Sequence, residues 1–429
     1  MDTKPLHKIE IPSDDILTQC MHCGLCLPVC PTYSLTRLER SSPRGRIRLI
    51  KEVTAGHLPI TENFRDEMYF CLDCQACATV CPAGVAYGQL VEAARAQILL
   101  SGTEKFAWLK KFFFRRIFPY NQRLKLAARL LRFYQRYLQN IVQKSGVLRL
   151  ISKKLDRAQG MSPLISSQFS DAFIPERLVP GNHPRYRVGM LTGCLMNVMF
   201  ADINRDTVEV LLENDCEIIT PKQQVCCGSL AGHNGDFEIA RHLARKNIDV
   251  FLSLDLDAIV INSAGCSAFM KEYGELLHED EEYREKAEQL SRIVKDISEF
   301  LVEINFKKPA VPLKGKITYH DACHLAHSQK ITREPREVLQ GIPGLEIIEL
   351  AESTWCCGSA GIYNVIRQEP SMQILDRKIK NILATGAEIL VTGNPGCMGQ
   401  IAYGLKGINS AIEVIHPVTL LNRAYKQKG

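Results

Sequence analysis

Residues 20–31, CMHCGLCLPVCP, place four cysteines in the spacing C-x2-C-x2-C-x3-C and follow them with a proline. Residues 71–82, CLDCQACATVCP, repeat both the spacing and the proline. This is the pattern of bacterial ferredoxins that carry [4Fe–4S] clusters. One short loop supplies three thiolates to a cluster, and in two-cluster ferredoxins the fourth thiolate comes from the other motif.

The two motifs therefore predict two [4Fe–4S] clusters that exchange their fourth ligands. One cluster takes Cys20, Cys23, Cys26 and Cys81. The other takes Cys71, Cys74, Cys77 and Cys30. A pair of zinc sites and reduced structural cysteines are the alternatives, but zinc usually binds two pairs of ligands and not a triple plus one.

The segment between the motifs predicts a helix. In SPRGRIRLIKEVTAG, residues 42–56, Ser41 or Ser42 caps the helix, Pro43 begins it and Gly56 ends it. Residues 1–100 are therefore expected to form an all-α dicluster ferredoxin domain. The arginines of this helix are expected on a solvated face, although they could also reach the clusters or the carboxylates of a partner: Arg44, Arg46 and Arg48.

The cysteine count and the composition limit the class of protein. Sixteen of the 17 cysteines fall into patterned sets, which in a reducing compartment indicates metal sites and not disulfides. Cys216 is left over and is expected to be a small buried apolar residue. No apolar run approaches the roughly 20 residues of a membrane span. Residues 1–15 lack the apolar core of a secretory signal, so we expect a cytoplasmic protein.

The rest of the cysteines belong to an internal repeat. YRVGMLTGC, residues 186–194, and GKITYHDAC, residues 315–323, each precede a Cys-Cys-Gly and then a single cysteine. The intervals agree: 31 and 32 residues lie before the cysteine pair, and 38 and 39 residues lie after it. Strand-like runs precede the cysteines and helical patterns lie between them, so 186–310 and 315–429 predict one parallel α/β unit used twice. The cysteines should meet at the carboxyl edge of each sheet.

Each unit offers four thiolates to a metal centre. They are Cys194, Cys226, Cys227 and Cys266 in the first unit, and Cys323, Cys356, Cys357 and Cys397 in the second. Gly228 and Gly358 supply the unusual backbone that would let adjacent cysteines face one centre. We expect one further iron–sulfur cluster in each unit, with zinc or a redox-active thiol site as the alternatives.

Three histidines flank Cys323 in HDACHLAH, residues 320–327. His320, His324 and His327 could ligate, relay a proton or bond a quinone oxygen, and a supporting or surface role is the default for each. His324 is the best candidate of the three because it adjoins a predicted ligand.

From the helical segment and the repeat together, the chain as a whole is predicted to be α/β, with an all-α ferredoxin domain before the duplicated unit.

Residues 101–180 form a basic, aromatic segment and linker. Residues 105–154 hold fourteen Lys or Arg and no Asp or Glu, interleaved with Phe, Tyr and Trp. An amphipathic helix on an anionic membrane and a docking surface for an acidic partner subunit both fit this pattern. A helical subdomain with an aromatic core and solvated charges fits as well. Nucleic-acid binding is disfavoured beside so many predicted clusters.

At this point the chain resembles the glycolate oxidase iron–sulfur subunit family. The residues that carry the resemblance, beyond the two cysteine patterns, are SPRGRI (42–47), SAGCSAFMKEYG (263–274), CCGSAGIYNV (356–365) and DRKIKNI (376–382). The family is related to lactate-utilisation proteins, to the iron–sulfur subunit of glycerol-3-phosphate dehydrogenase and to heterodisulfide reductase. The wider family ends its cysteine pattern in C-x-x-C, whereas here Phe269 and Gln400 stand at that fifth position.

The resemblance implies a role in electron transfer. A FAD-containing subunit would oxidise glycolate or D-lactate, and this chain would pass the electrons to a quinone or another acceptor. No dinucleotide-binding glycine loop follows a strand, so this chain is not expected to oxidise the substrate itself. The alternatives are a heterodisulfide-reductase-like thiol/disulfide enzyme subunit, a glycerol-3-phosphate dehydrogenase subunit and a zinc-stabilised scaffold.

Overall fold

The computed structural model describes residues 14–103, 107–181 and 183–427. The expectations for residues 1–13, for Lys105 and Phe106 of the basic segment, and for residues 428–429 lie outside the described residues. The protein is α/β, as predicted: helices alone form the described part of its N-terminal quarter, and two sheets lie in the part that follows.

Helices and short turns build residues 14–103. They are α1 (Asp14–Thr18), α2 (Pro31–Thr36), a 3₁₀ turn (Glu39–Ser41), α3 (Pro43–Thr54), α4 (Glu62–Phe70), α5 (Ala76–Thr79) and α6 (Tyr87–Ser101). The predicted helix between the motifs is confirmed. The hydroxyl of Ser42 accepts a hydrogen bond from the backbone N–H of Gly45 at 3.0 Å, and Gly56 follows the helix at a φ of 76°.

The arginines of α3 divide between the core and the solvent. The expected solvated face is wrong for Arg46, whose side chain is fully buried. Its Nε donates to the carbonyl of Glu67 at 2.8 Å and its guanidinium donates to the hydroxyl of Thr32 at 3.1 Å. Arg48 does face solvent, with 63% of its side chain exposed. Arg46 thus braces three helices of this part beneath the cysteine loops.

The segment that follows is helical and unusually exposed. Its elements are α7 (Ala107–Phe112), a π-helix (Phe113–Ile117), α8 (Asn121–Phe133), a π-helix (Tyr134–Leu138), α9 (Gln139–Ser145), α10 (Val147–Ile151), α11 (Lys153–Met161) and α12 (Ser170–Phe173). Phe114 is buried, but Trp108, Phe133 and Tyr137 are 69%, 57% and 55% exposed. An aromatic core is therefore the wrong interpretation for these three side chains.

The first repeat unit contains a five-stranded sheet in the order β1-β3-β2-β4-β5. Its strands are β1 (Arg177–Leu178), β2 (Tyr186–Met190), β3 (Cys216–Ile219), β4 (Ala258–Ile261) and β5 (Val294–Asp296). Its helices are α13 (Leu195–Met199), α14 (Ala201–Glu213), α15 (Ser229–Gly232), α16 (Phe237–Leu252), α17 (Ala264–Lys271), α18 (Tyr273–Leu276), α19 (Arg284–Ile293) and α20 (Ile297–Glu303). Only β1 pairs antiparallel to its neighbour within this described sheet.

The second unit contains a four-stranded parallel sheet in the order β7-β6-β8-β9. Its strands are β6 (Gly315–Tyr319), β7 (Leu345–Ile348), β8 (Ile389–Val391) and β9 (Glu413–Ile415). Its helices are a π-helix (His324–Ser328), α21 (Glu334–Gln340), α22 (Tyr363–Ile366), α23 (Gln368–Ala384), α24 (Pro395–Gly407) and α25 (Pro417–Lys426).

The registers show that the two units are copies. Val188 of β2 lies opposite Ile218 on one side and Ala258 on the other. Ile317 of β6 lies opposite Ile347 and Ile389 in the same way. The units also share one apolar core, to which α25 contributes Leu420 and Leu421. Cys216 is fully buried on β3, as expected, and burial raises the pKa of its thiol to about 12.

Candidate metal centres

The ferredoxin-like loops bring their eight cysteines to two neighbouring cavities. The first cavity is lined by Cys20, Cys23, Cys26, Cys77 and Cys81, and the second by Cys30, Cys71, Cys74 and Cys77. Each cavity therefore contains one complete predicted ligand set, and Cys77 borders both. Ile47 and Val85 give the first cavity apolar walls, which suits a soft thiolate-bound cluster kept from water.

The two loops reach this arrangement through the same backbone turns. His22 and Gly24 of the first loop have φ values of 54° and 87°, and the equivalent Asp73 and Gln75 of the second have 54° and 59°. Left-handed residues alternating with ordinary ones turn successive backbone N–H groups inward and form a concave anion site. Burial raises the pKa of the Cys77 thiol well above its usual range, so a metal must displace its proton.

In the first repeat unit the four thiols meet at the carboxyl edge of the sheet, as predicted. Cys194 caps α13 and its Sγ lies 3.5 Å from the Sγ of Cys226. The neighbouring thiols of Cys226 and Cys266 raise the pKa of the Cys227 thiol well above its usual range, and Cys266 lies in the first turn of α17. The hydrogen bond to Cys226 and burial raise the pKa of the Cys194 thiol well above its usual range. Gly228 follows the pair at a φ of 91°.

The second unit repeats this geometry. Sγ of Cys357 lies 3.4 Å from Sγ of Cys397, which is in the first turn of α24. A hydrogen bond to Cys356 and burial raise the pKa of the Cys323 thiol. Thiolates on one tetrahedral zinc ion are about 3.8 Å apart, given Zn–S bonds of about 2.3 Å. Both a single metal ion and part of a cluster therefore suit these soft donors.

The fifth position of the wider family's pattern holds a packed side chain in both units. Phe269 is buried, and its ring lies edge-on to that of His233 with centroids 5.4 Å apart. Gln400 is buried and bonded on both sides, accepting from the amide of Asn364 at 3.0 Å and donating to the hydroxyl of Ser371 at 2.9 Å. Neither position offers a fifth thiolate.

The three histidines near Cys323 have separate surroundings. Nε2 of His324 donates to the carbonyl of Asp73 at 2.9 Å, and Nδ1 of His327 accepts from the hydroxyl of Thr79 at 2.9 Å. Both therefore bind the second ferredoxin-like loop. His320 is instead grouped with two thiols: a ring nitrogen of His320 and the Sγ atoms of Cys357 and Cys397 all lie within 4.8 Å of one another. The expectation favoured His324, whereas the geometry favours His320.

The second unit also contacts the ferredoxin-like loop through its cysteines. Cys74 packs in one apolar cluster with Cys356 and Trp355. The hydroxyl of Ser328 donates to the amide oxygen of Gln75 at 3.0 Å. The loop that carries Cys71, Cys74 and Cys77 is thus held against the cysteine pair of the second unit.

The first unit binds the helical part through a buried ionisable group that the sequence did not predict. Nδ1 of His233 lies 2.5 Å from a carboxylate oxygen of Glu92, and Arg95 donates to the carbonyl of His233 at 2.7 Å. Burial raises the pKa of Glu92 to about 7 and that of Asp73 to about 6. These residues come from separate segments, and no local pattern links them.

A large cavity lies where the N-terminal helices, the basic segment and the two repeat units meet. Its volume is about 770 Å³, and its lining includes Cys71, Arg95, Phe114, His233, His324 and Tyr363. Several lining side chains bury polar atoms that have no hydrogen-bond partner among the described residues, including Nε2 of His233, Nδ1 of His324 and the hydroxyl of Tyr363. This size is typical of cofactor and small-molecule sites.

Comparison with protein families accounts for most of the chain. Residues 16–85 match the 4Fe-4S dicluster domain, residues 106–162 match the glycolate oxidase iron-sulfur subunit linker region, and residues 188–271 and 317–402 each match the cysteine-rich CCG domain. The match at 106–162 covers most of the basic segment.

Similar proteins cover the chain almost from end to end. The chain is 39% identical to the probable glycolate oxidase iron-sulfur subunit of Bacillus subtilis (strain 168), over 96% of this chain and 95% of that protein. It is 31% identical to the glycolate oxidase iron-sulfur subunit of Escherichia coli (strain K12), over 94% and 95%. It is 32% identical to lactate utilization protein A of Shouchella clausii (strain KSM-K16), over 55% of this chain and 98% of that protein.

Proposed function

The chain belongs to the glycolate oxidase iron–sulfur subunit family, and on that premise we propose that it is the electron-transfer subunit of a flavin-dependent 2-hydroxyacid dehydrogenase. A FAD-containing partner oxidises glycolate or D-lactate, and this chain carries the electrons to a quinone or another acceptor. The observation that supports this best is the gathering of sixteen cysteines into four sets, two of them in adjoining cavities. Clusters bound there would accept and release single electrons.

The proposed ligands are the residues predicted from the spacing. Eight cysteines of residues 20–81 would hold two [4Fe–4S] clusters, and the four thiolates of each CCG unit would hold a further iron–sulfur cluster or zinc. Iron and acid-labile sulfide in anaerobically purified protein test this. About eight iron with zinc indicates zinc in the CCG units, and about twelve to sixteen iron indicates clusters there. Fewer than about four iron atoms per chain, with no reducible EPR signal, would contradict the electron-transfer role.

The partner and its substrate can be tested together. The chain should copurify with a flavoprotein, and the complex should reduce an artificial dye with a 2-hydroxyacid. Comparing glycolate with D-lactate identifies the substrate, which the flavoprotein selects. A complex that reduces the dye equally well after the iron has been removed from this chain would still oxidise substrate but would not support the relay.

For the acceptor, we propose the cavity at the meeting point of the four parts. Its walls include the aromatic side chains of Phe113, Phe114 and Phe118, while polar atoms of His233, His324 and Tyr363 have no partner among the described residues. An apolar chamber with a few hydrogen-bonding groups suits a quinone ring and its carbonyl oxygens. Cys71, a proposed cluster ligand, also lines the cavity.

A bulky substitution at the rim of the cavity tests this placement. Ile366 lines the cavity and is 46% exposed, so Ile366→Trp should narrow the chamber without disturbing the core. We expect the ratio of quinone reduction to dye reduction to fall about tenfold, the effect of about 1.4 kcal/mol of lost binding. Leu383→Trp is the matched control because Leu383 is also 46% exposed but does not line the cavity. An unchanged ratio in Ile366→Trp would place the acceptor elsewhere.

The basic segment is proposed to lie on an anionic membrane surface. Exposed apolar side chains stand among its cations, including Trp108 at 69%, Leu130 at 65% and Leu150 at 87%. Interfacial helices combine such apolar faces with Lys and Arg. Among the described residues, no helix combines the length and the apolar character that crossing a bilayer requires. We therefore propose a cytoplasmic protein with peripheral membrane contact.

Vesicle flotation distinguishes a membrane from a protein partner at this surface. The complex should float with vesicles containing anionic lipid and stay unbound with neutral ones, and Trp108→Ser with Leu150→Ser should weaken flotation. Loss of the flavoprotein from the same double variant would instead identify a subunit interface.

We propose the same domain division as the sequence predicts: the ferredoxin domain at 1–100, the basic segment and linker at 101–180, and the two CCG units at 186–310 and 315–429. A heterodisulfide-reductase-like activity has no support from the fifth positions, which Phe269 and Gln400 fill.

A further inference from the structure

His320 differs from the residue at the same place in the first CCG unit. It directly follows β6 and precedes Cys323 by three residues, whereas Leu191 precedes Cys194 by three residues. Both side chains are buried, His320 completely. The duplicated scaffold therefore holds an apolar side chain in one copy and an imidazole in the other.

The hydrogen bonding of His320 fixes its tautomer. Its Nδ1 lies 2.9 Å from the carbonyl oxygen of Ser353. A carbonyl only accepts hydrogen bonds, so Nδ1 carries the proton and Nε2 of the neutral ring has a free lone pair. Nε2 is buried and has no hydrogen-bond partner among the described residues. Metal-binding histidines are commonly oriented in this way, by a backbone carbonyl on the nitrogen that does not ligate.

The thiols of the second unit lie beside the ring of His320. One ring nitrogen of His320 is within 4.8 Å of the Sγ atoms of both Cys357 and Cys397, which are themselves 3.4 Å apart. Because Nδ1 is already bonded to Ser353, Nε2 is the atom available to a metal. A buried nitrogen without a partner costs free energy, and a metal ion among these thiolates would satisfy it.

We infer that Nε2 of His320 is a metal ligand in the second CCG unit. That unit then offers four thiolates and one imidazole, where the first offers four thiolates alone. The inference rests on the proposed function to the extent that the unit must bind a metal centre. Where the imidazole takes the place of one of these four thiolates as a ligand, the centre is less negative, and in iron–sulfur proteins this raises the reduction potential.

Nitrogen hyperfine spectroscopy on the full chain tests the inference without using activity. The protein is purified anaerobically with ¹⁵N-histidine, reduced, and examined by pulsed EPR. We expect a directly bound histidine nitrogen in the wild type and its loss in His320→Leu, which copies the residue of the first unit. His416→Phe is the control because His416 is a second fully buried histidine of this unit, outside the group formed with the thiols. If the unit binds zinc, X-ray absorption at the zinc edge should show one nitrogen neighbour that His320→Leu removes.

The possible outcomes separate this inference from the proposed function. Bound iron or zinc in the second unit with no coordinating histidine nitrogen overturns the inference and leaves the electron-transfer proposal intact. Absence of any metal from the second unit, measured by comparing the wild type with Cys357→Ser, overturns both for that unit. His320→Cys should retain the metal and lose the nitrogen signal, which excludes misfolding as the cause of the loss.

Discussion

Near the thiols, each of four buried side chains in the second CCG unit is more polar than its equivalent in the first unit. Four equivalent pairs show this: Leu191 and His320, Ala240 and Ser371, Asn247 and Lys378, and Phe269 and Gln400. All eight side chains are buried. Duplication has kept the positions of the cysteines and changed the side chains that surround them. Because hydrogen bonds and net charge set the potential of a metal centre, one backbone can hold two centres of different potential.

The two units also bind the N-terminal helices by different means. The second unit uses a hydrogen bond from His324 to the carbonyl of Asp73 at 2.9 Å and an ion pair between Arg367 and Asp66 at 3.2 Å. The first uses an ionisable pair, Glu92 and His233, with 2.5 Å between the carboxylate oxygen and Nδ1. The same scaffold therefore meets the same partner through different groups, of which the Glu92 carboxyl titrates near neutral pH because burial raises its pKa to about 7.

The largest difference between the units should appear when the fifth cysteine is restored. Phe269→Cys removes an aromatic ring from a tightly packed site. The packing is tight because a Cβ added to Gly232 would lie only 2.4 Å from the ring of Phe269. We expect it to lower the free energy of unfolding by about 3–5 kcal/mol. Gln400→Cys removes two buried hydrogen bonds, with an expected loss of about 1–2 kcal/mol. Denaturant unfolding of the two variants under anaerobic conditions measures both, and equal losses would contradict the packing difference.

Alanine at the glycine after each cysteine pair should instead affect the second unit more. A Cβ on Gly358 would lie 2.6 Å from the carbonyl oxygen of Ser371, whereas a Cβ on Gly228 would lie 3.2 Å from the ring of Phe269. Both glycines have φ near 90°, so alanine costs about 1–2 kcal/mol at either position. The backbone clash should raise the cost at Gly358 to about 3 kcal/mol. Unfolding midpoints of Gly228→Ala and Gly358→Ala test this, and the reverse order would show that the second loop can move away.

Several features of the fold could be predicted from the sequence alone. The helix from Pro43, the central strands β2 and β6 and the meeting of thiols at the sheet edge were all predictable, because each depends on local spacing and periodicity. Arg46 was misjudged because charge argues for exposure, while three helices here enclose its guanidinium, which donates to Glu67 and Thr32. Burial of a charged residue is decided by distant partners and not by its neighbours in sequence.

The choice among the three histidines near Cys323 also depends on distant contacts. Adjacency to Cys323 favoured His324, but Nε2 of His324 donates to the carbonyl of Asp73 in the second ferredoxin-like loop. His320 directly follows β6, which pairs with β7 and β8, and the chain leads from these two strands to Cys357 and Cys397. A ring nitrogen of His320 therefore lies near both thiols. The contact of Glu92 with His233 spans 141 residues of chain, and nothing in either local segment indicates it. For His320 the sequence did offer a signal, because an alignment of the two repeats shows that Leu191 occupies the equivalent position in the first unit.

The pH-sensitive contact of the first unit gives a third test. Burial raises the pKa of Glu92 to about 7 from an ordinary value of 4.5, so the folded state holds this proton more tightly than the unfolded state. Stability should therefore fall as pH rises from about 4.5 to about 7 and then level off. We expect Glu92→Gln to remove about 2–3 kcal/mol of this decline.

Hydrogen exchange identifies which contact loosens. After correction for the intrinsic rate, protection of residues 229–236 in the first unit should fall between pH 5 and pH 8, while protection of residues 324–330 in the second should stay constant. Glu92→Gln should make the first segment behave like the second. A parallel loss of protection in both segments would mean that the two contacts open together and that the pair has no special role.

The smallest expected effect concerns the buried cation of the second unit. Lys378 is fully buried and its ammonium donates to the carbonyls of Glu352 and Ser353, in the place that neutral Asn247 takes in the first unit. Burial lowers the pKa of Lys378 to about 8, so the side chain is still mostly protonated at pH 7. A positive charge near the thiolates favours the reduced, more negative centre. Lys378→Met should therefore lower the potential of the second centre by about 60 mV, equivalent to a tenfold change in a one-electron equilibrium. Asn247→Leu should leave the first centre within a fraction of that shift. EPR-monitored redox titration of both variants measures the two values, and an equal shift in each would mean that packing and not charge sets the difference between the units.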